Sequence, residues 1–417
     1  MLTVHANPLA EPGAGDAGGM NVYVRQVARA LAGRGVEVDI FCRRDTTPVA
    51  QVSAPYPGVR VIQVDAGAPE LLKEDLPAHL PEFAANLAAG VEASGRDYDL
   101  IHSHYWLSGK AAAVLSRRWG IPFIHTFHTL GLVKNERVRE GDRPEPEVRL
   151  AGEARVIADA DAIVASTPQE RDWLLELYAA HPERIHLVPP GVDHNVFRPA
   201  DRTEAKARLG LAGRHVLLFV GRLQPLKAAD IAVRALADLV AWGRASLDDT
   251  CLLVVGSASG PAGGREPEHL AALARDLGVE RAVRFLPAQP HARLPRFYQA
   301  ADVCLVPSYT ESFGLVALEA QACGVPVVAS AVGGLRSIVR HGQTGYLVEP
   351  GLSQALAERA WRILSDPPLA RSLGGLAQCS SGDYSWNRSA DALLELYAAS
   401  LGRAEAPTAA PFATGRS

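Results

Sequence analysis

Short β-branched apolar runs alternate with longer amphipathic segments along nearly the whole chain, and this rhythm limits the fold more than any other feature. Residues 36–42, 59–64, 100–104, 122–128, 162–166 and 185–189 read as strands, and 21–32, 80–93, 108–119, 148–158 and 169–179 read as helices between them. Strands that are apolar throughout, each followed by a helix, imply a parallel sheet covered on both faces. The stretch Pro189-Pro190-Gly191, followed by Phe197-Arg198-Pro199, then breaks the pattern. Prolines fix φ and remove donors, so such a stretch suits a connector between domains rather than a sheet strand. Beyond it the rhythm restarts, with strands at 215–220, 251–255, 283–286, 303–306, 327–329 and 345–348. Helices are expected at 228–241, 267–277, 315–322, 352–364 and 385–400. The implied fold class is α/β, with two Rossmann-like domains (1–190 and 200–375) facing a cleft, a C-terminal helix over 380–402 and a flexible tail at 403–417.

Composition narrows the function classes. A net charge of −4 over 417 residues gives no global basic field for nucleic acid or anionic lipid. The five cysteines (42, 251, 304, 323, 379) show no C-x-x-C spacing, which disfavours a zinc knuckle or disulfide framework. No apolar stretch approaches the roughly 18 residues of a membrane span, and no basic start precedes an apolar run, so a cytoplasmic protein is expected. Only five of the 42 basic residues are lysines (73, 110, 134, 206, 227). In an arginine-rich chain, each lysine is worth inspecting.

Four motifs carry chemistry. Gly13-Ala14-Gly15-Asp16-Ala17-Gly18-Gly19 leads into a helix and matches a dinucleotide fingerprint literally, but Pro8 and Pro12 stand where that fingerprint needs a tight turn after the strand. A glycine loop whose amides approach a phosphate fits better, and a loop without a ligand is the plain alternative. His102-Ser103-His104-Tyr105 and His125-Thr126-Phe127-His128-Thr129 end adjacent strands on the crevice side. His102 and His104 share a strand face, as metal ligands would, but hydrogen bonding to a polyhydroxyl or phosphate ligand is the better match. Arg222 and Lys227 follow the first strand of the second half, where two cations and a helix start suit a diphosphate. Glu311 and Glu319 bracket Gly314 at a helix start, just over two helical turns apart, where a carboxylate can accept vicinal sugar hydroxyls. Glu311 could also serve simply as an acidic residue at a helix N-terminus.

Together and in this order, these motifs resemble the GT-B retaining glycosyltransferases of family 4. Gly15-Asp16-Ala17-Gly18-Gly19-Met20-Asn21, Ile101-His102-Ser103-His104-Tyr105-Trp106, Gln224-Pro225-Leu226-Lys227 and the Glu311–Glu319 element are most similar to its mycothiol-pathway branch in actinobacteria, the D-inositol 3-phosphate glycosyltransferases. The resemblance runs from about residue 4 to 397. It implies a C-terminal helix that returns to the N-terminal domain, a nucleotide-sugar donor and a small-molecule acceptor. Transfer of N-acetylglucosamine from UDP to 1D-myo-inositol 3-phosphate is the expected reaction.

The resemblance also implies roles for residues. His128, Arg222, Lys227 and Glu311 would be catalytic. His5, Gly19, Arg222, Lys227, Gln289, Glu311, Phe313, Gly314, Leu315 and Glu319 would bind the donor, with Arg222 and Lys227 on the diphosphate, Glu319 on the ribose and Glu311 on the transferred sugar. Asp16, Gly18, Gly19 and Asn21 would surround the inositol ring, and Lys73, Tyr105, Thr129 and Arg149 would hold its phosphate. No cofactor is required for the chemistry; Mg2+, held through backbone at Tyr298, Gln299 and Ala301, is compatible with the family, as is a homodimer. Glu11, Gln299 and Val325 depart from the family pattern. Two other readings compete: a same-fold transferase of an antibiotic pathway, using another nucleotide-sugar such as a GDP-sugar and a thiol, amine or hydroxyl acceptor, and a non-catalytic nucleotide-sugar binding protein.

Overall fold

The structure, a computed structural model, describes residues 1–12, 17–136, 144–258 and 266–402. Its first half holds β1 (Leu2–Thr3), β2 (Val38–Arg43), β3 (Val52–Tyr56), β4 (Val59–Val64), β5 (Ile101–His104), β6 (Phe123–Thr126), β7 (Ala162–Ala165) and β8 (Ile185–Leu187). They form one sheet in the order β3-β4-β2-β1-β5-β6-β7-β8. All neighbours are parallel except β3, which pairs antiparallel with β4 at the edge. β2, β5, β6 and β7 are buried along their whole length; β7 is apolar throughout, while β5 and β6 carry buried His102, Ser103, His104, His125 and Thr126. β3 is half-exposed and carries Pro55, a residue that sheets tolerate at an edge.

The second half holds β9 (His215–Val220), β10 (Thr250–Val255), β11 (Val283–Leu286), β12 (Val303–Val306), β13 (Val327–Ser330) and β14 (Gly345–Val348). This sheet is parallel throughout, in the doubly wound order β11-β10-β9-β12-β13-β14. The strand order reverses at β1/β5 in one half and at β9/β12 in the other. Loops at the carboxyl ends of strands diverge at such a point and leave a crevice. The two crevices face each other.

The chain crosses between the halves twice, and the crossings touch. Val192 bridges Ser385, the Val192 amide donates to the Tyr384 carbonyl at 3.4 Å, and the Ser389 hydroxyl donates to the Pro189 carbonyl at 2.6 Å. Gly191 is obligatory here, because a Cβ on it would lie 2.2 Å from the Ser385 carbonyl carbon and the Trp386 nitrogen. The helix Trp386–Ser400 then packs on the first half, as expected. Trp386, Ala390, Leu393 and Leu396 share a core with Val22, Tyr23, Val27 and Leu31.

Most expected elements fall within two residues of their observed bounds, but helix Pro367–Ser381 was not anticipated. The expected end of the second domain at 375 lies inside it. Its two prolines occupy the first turn, where no amide is needed. Gly374 lets the helix approach the Gly324 carbonyl, 2.4 Å from where a Cβ would sit. The two-residue β1 and edge strand β3 were also missed. Cys42, Cys251, Cys304 and Cys323 are buried free thiols and Cys379 is an exposed one. Among the described residues, no helix is long and apolar enough to cross a membrane.

Candidate functional site

A cavity of about 480 Å3 lies between the two crevices. The loops after β1, β5 and β6 supply one wall, and the loops after β9, β11 and β12 supply the other. Two wall residues, Tyr105 (φ 71°) and His128 (φ 62°), occupy the left-handed region. Such strain persists only where surroundings enforce it. The Tyr105 amide is tied to the Thr126 carbonyl at 2.9 Å, and the His128 carbonyl accepts the Ser312 hydroxyl from the opposite half. Helix Gly19–Ala32 brings Gly18 and Gly19 against that half: Arg222 Nε lies 3.4 Å, and Leu315 Cδ1 3.3 Å, from where their Cβ atoms would be. The two halves touch here.

On the first wall, Arg149 is buried and fixed on every side. Its guanidinium donates to Glu153 Oε1 (2.8 Å) and to Thr129 Oγ1 (3.0 Å), contacts Glu145 Oε2 at 2.9 Å, and lies 5.1 Å from the Tyr105 ring centroid. Glu153 also accepts the Gly131 amide and the Tyr178 hydroxyl. Glu145 bridges Arg149 and Lys134; burial opposes its ionisation, but the two cations win and hold its carboxyl down to about 2. Lys73 is one-third exposed on the same wall.

On the second wall, Lys227 Nζ donates to Glu311 Oε2 at 2.6 Å. Arg222, Gln289, Phe313, Gly314 and Leu315 line the cavity beside them. Gly314 (φ 105°) caps helix Leu315–Ala322, whose first-turn amides lack intrahelical partners, as at any helix start, and so suit an anion. Glu319 lies in that helix and lines the same cavity as Glu311. Gln289 is held by Arg296 and by its own bond to the Pro287 carbonyl.

Histidines form the seam. His104 Nδ1 and His128 Nε2 are 3.1 Å apart, and the His5 ring packs 4.2 Å from that of Tyr105. Burial lowers the His128 pKa to about 3. His5 is pushed well below its usual range by burial, then by Lys73, His128, Arg149 and Arg222, so cations of both walls act on it. Both rings are neutral at physiological pH. His102 bonds Tyr397 and Thr126 instead of a metal, and the described residues contain no group of three His, Cys, Asp or Glu that could hold one.

Some expected residues lie elsewhere. Asn21 is buried behind the glycine loop, accepting the Gly18 amide (3.0 Å) and donating to the Asn7 carbonyl (2.6 Å), so it shapes that loop. Tyr298, Gln299 and Ala301 do not line the cavity. The Tyr298 carbonyl accepts the Ala301 amide, and the Gln299 side chain donates to the Arg198 carbonyl. Asp16 and the Gly13–Gly15 part of the fingerprint fall outside the described residues. Among the cavity residues that were missed are Lys134, Glu170, Trp173, His291 and Leu294. Lysine scarcity could have flagged Lys134. The others carry no local signal.

The sequence comparisons agree with this architecture. The Glycosyl transferase 4-like domain matches residues 18–191, and Glycosyl transferases group 1 matches 201–378. D-inositol 3-phosphate glycosyltransferase of Actinosynnema mirum is 49% identical, covering 95% of this chain and 96% of the relative. This chain belongs to their glycosyltransferase family. The corresponding enzyme of Acidothermus cellulolyticus is 50% identical over 98% of this chain and 91% of its own. Among solved structures, sucrose-phosphate synthase from Thermosynechococcus elongatus superposes with a TM-score of 0.87 at 35% identity, covering 95% of this chain and 97% of that one. Anabaena HepE, solved with UDP and glucose, gives 0.75 at 20% identity over 93% of this chain and 98% of its own, which shows the shared GT-B fold. In this glycosyltransferase the facing crevices are therefore the two sides of a GT-B cleft.

Proposed function

We propose that the chain transfers N-acetylglucosamine from a UDP-sugar to 1D-myo-inositol 3-phosphate with retention at the anomeric carbon. The observation that carries this reading is the split of the cavity cations among the described residues: Lys73, Lys134 and Arg149 on one wall, Arg222 and Lys227 on the other. Two separate cationic groups suit two separate phosphates, one on the acceptor and one in the donor. Glu145 and Glu153 already pair Lys134 and Arg149, so the first-wall charge open to an acceptor phosphate rests mainly on Lys73, whose nearest carboxylate, Glu74, is 4.0 Å away.

Arg222, Lys227 and the amides opening helix Leu315–Ala322 would take up charge on the departing β-phosphate. Glu311 would hold hydroxyls of the transferred sugar and Glu319 those of the ribose. As the bond from the anomeric carbon to the phosphate oxygen breaks, the acceptor oxygen attacks the same face and its proton passes to that phosphate oxygen. His128, held neutral, would donate a hydrogen bond to the sugar and not act as an acid. Closure of the cleft would keep water away. Mg2+ held through the backbone of Tyr298, Gln299 and Ala301 is not required in this reading, because Arg222 and Lys227 would meet the donor charge.

Steady-state kinetics with phosphorylated and unphosphorylated inositol tests the acceptor assignment. Lys73→Ala should raise KM for inositol 3-phosphate about tenfold, the loss of one partly exposed charge-assisted contact, and leave the donor KM unchanged. Equal effects on both substrates would remove Lys73 from the acceptor phosphate.

A further inference from the structure

Glu319, assigned above to the donor ribose, does not face the cavity as a loose side chain. His291 Nε2 lies 2.6 Å from Glu319 Oε1, and the Tyr298 hydroxyl donates to Oε2 at 2.9 Å. Both side chains of the His291–Glu319 pair are largely buried, at 14% and 7% exposure. Burial and the Glu319 charge raise the Tyr298 pKa well above its ordinary value, so its hydroxyl stays a donor. Phe197, from the connector between the halves, closes behind them with ring centroids 5.0 Å from His291 and 5.9 Å from Tyr298. The carboxylate is thus gripped once on each oxygen, with an aromatic wedge fixing both grips.

A carboxylate has about four lone-pair sites, and here two are taken by protein donors. The remaining two are held in one plane, since rotating the group would break both bonds. A vicinal diol needs two acceptors fixed in that way. We propose that His291 and Tyr298 are positioning residues that clamp the Glu319 carboxylate for the two ribose hydroxyls, and so set the preference of the donor site for a ribonucleotide. This rests on the assignment of Glu319 to the ribose. The clamp gives Tyr298 a side-chain function. His291 lies on the short turn His291–Arg293, and its neighbours in sequence give no hint of it.

The test compares binding of UDP and of 2′,3′-dideoxy-UDP by calorimetry in the wild type, His291→Ala, His291→Gln and Tyr298→Phe. The wild type should prefer UDP by roughly a hundredfold, two charge-assisted hydrogen bonds. His291→Ala should cut that preference about tenfold by weakening UDP alone, and His291→Gln, which keeps a donor near the same place, should restore most of it. Should Tyr298→Phe not fold, His291→Ala and its Gln rescue carry the test. Equal weakening of both nucleotides, or an unchanged preference, overturns the clamp while leaving Glu319 on the ribose. A wild type that does not discriminate overturns the ribose assignment itself, and the clamp with it.

Discussion

Replacing Gly191 by Ala adds one methyl group where the two crossings between the halves press together. The new carbon would start 2.2 Å from the Ser385 carbonyl carbon and the Trp386 nitrogen, and 2.8 Å from the Ser385 Cα. All three are backbone atoms, so no side chain can rotate away. Reaching an ordinary carbon contact of about 3.5 Å requires the strands to part by roughly 1 Å. Overpacking of this kind costs about 1–3 kcal/mol. Parting the strands also strains the 2.6 Å bond from Ser389 to the Pro189 carbonyl, a further contribution of about 1 kcal/mol. A loss of roughly 2–4 kcal/mol is therefore expected in urea unfolding. Turnover should fall as well, because the displaced segment leads directly into the helix Trp386–Ser400 that completes the first half. Gly375→Ala is the control, since nothing lies within 4 Å of its Cβ position and it sits inside helix Pro367–Ser381. It should be neutral or stabilising by about 0.5–1 kcal/mol. Gly191→Ala unfolding within 0.5 kcal/mol of the wild type, at about the resolution of the urea method, would refute the close contact.

Other consequences are as direct. Lys227→Ala should lower kcat at least about a hundredfold, the usual scale for removing one transition-state charge partner, with an unchanged far-UV circular dichroism spectrum; near-normal turnover would remove Lys227 from the diphosphate. Transfer should persist in excess EDTA, since Arg222 and Lys227 would meet the donor charge, and loss restored by Mg2+ would contradict this. Burial holds His102, His104 and His125 well below their usual pKa, so the folded state keeps them neutral while the unfolded chain takes up protons below about 6.5. Their stabilisation is present above pH 6.5 and is lost below it, about 1 kcal/mol each by pH 5.5. Glu170 acts oppositely: burial raises it to about 7, so the folded state binds its proton first and gains stability as pH falls through 7. Glu170→Gln should therefore steepen the loss between pH 7.5 and 5.5, and a flat profile in that variant would contradict both assignments.

The alternation of apolar strands and amphipathic helices was legible because parallel strands buried on both faces leave little room for polar residues. β7 and β12 show it directly, whereas β5 carries buried His102, Ser103 and His104. Helix Pro367–Ser381 was not legible, since Gly374 serves a contact with Gly324 that only the folded chain reveals. The pairing of Glu311 with Glu319 survives in the structure as two carboxylates on one cavity, because their spacing wraps the start of one helix. His291, Glu153 and Trp173 were out of reach for a different reason. His291 meets Glu319 28 residues on, Trp173 meets Gly333 across the cleft, and Glu153, though it pairs with Arg149 four residues away, also takes the Gly131 amide 22 residues back. Asn21 shows the converse: motif membership brought it to the right loop, but folding turned its amide inward to Asn7.

The most direct test of the proposed reaction is to incubate the protein with UDP-N-acetylglucosamine and 1D-myo-inositol 3-phosphate, follow UDP release, and characterise the product by mass and by the proton coupling at the anomeric carbon. UDP should appear in step with one N-acetylglucosaminyl-inositol phosphate carrying the α configuration of the donor. UDP release without that product, a β-linked product, or no reaction while another acceptor is consumed would contradict it.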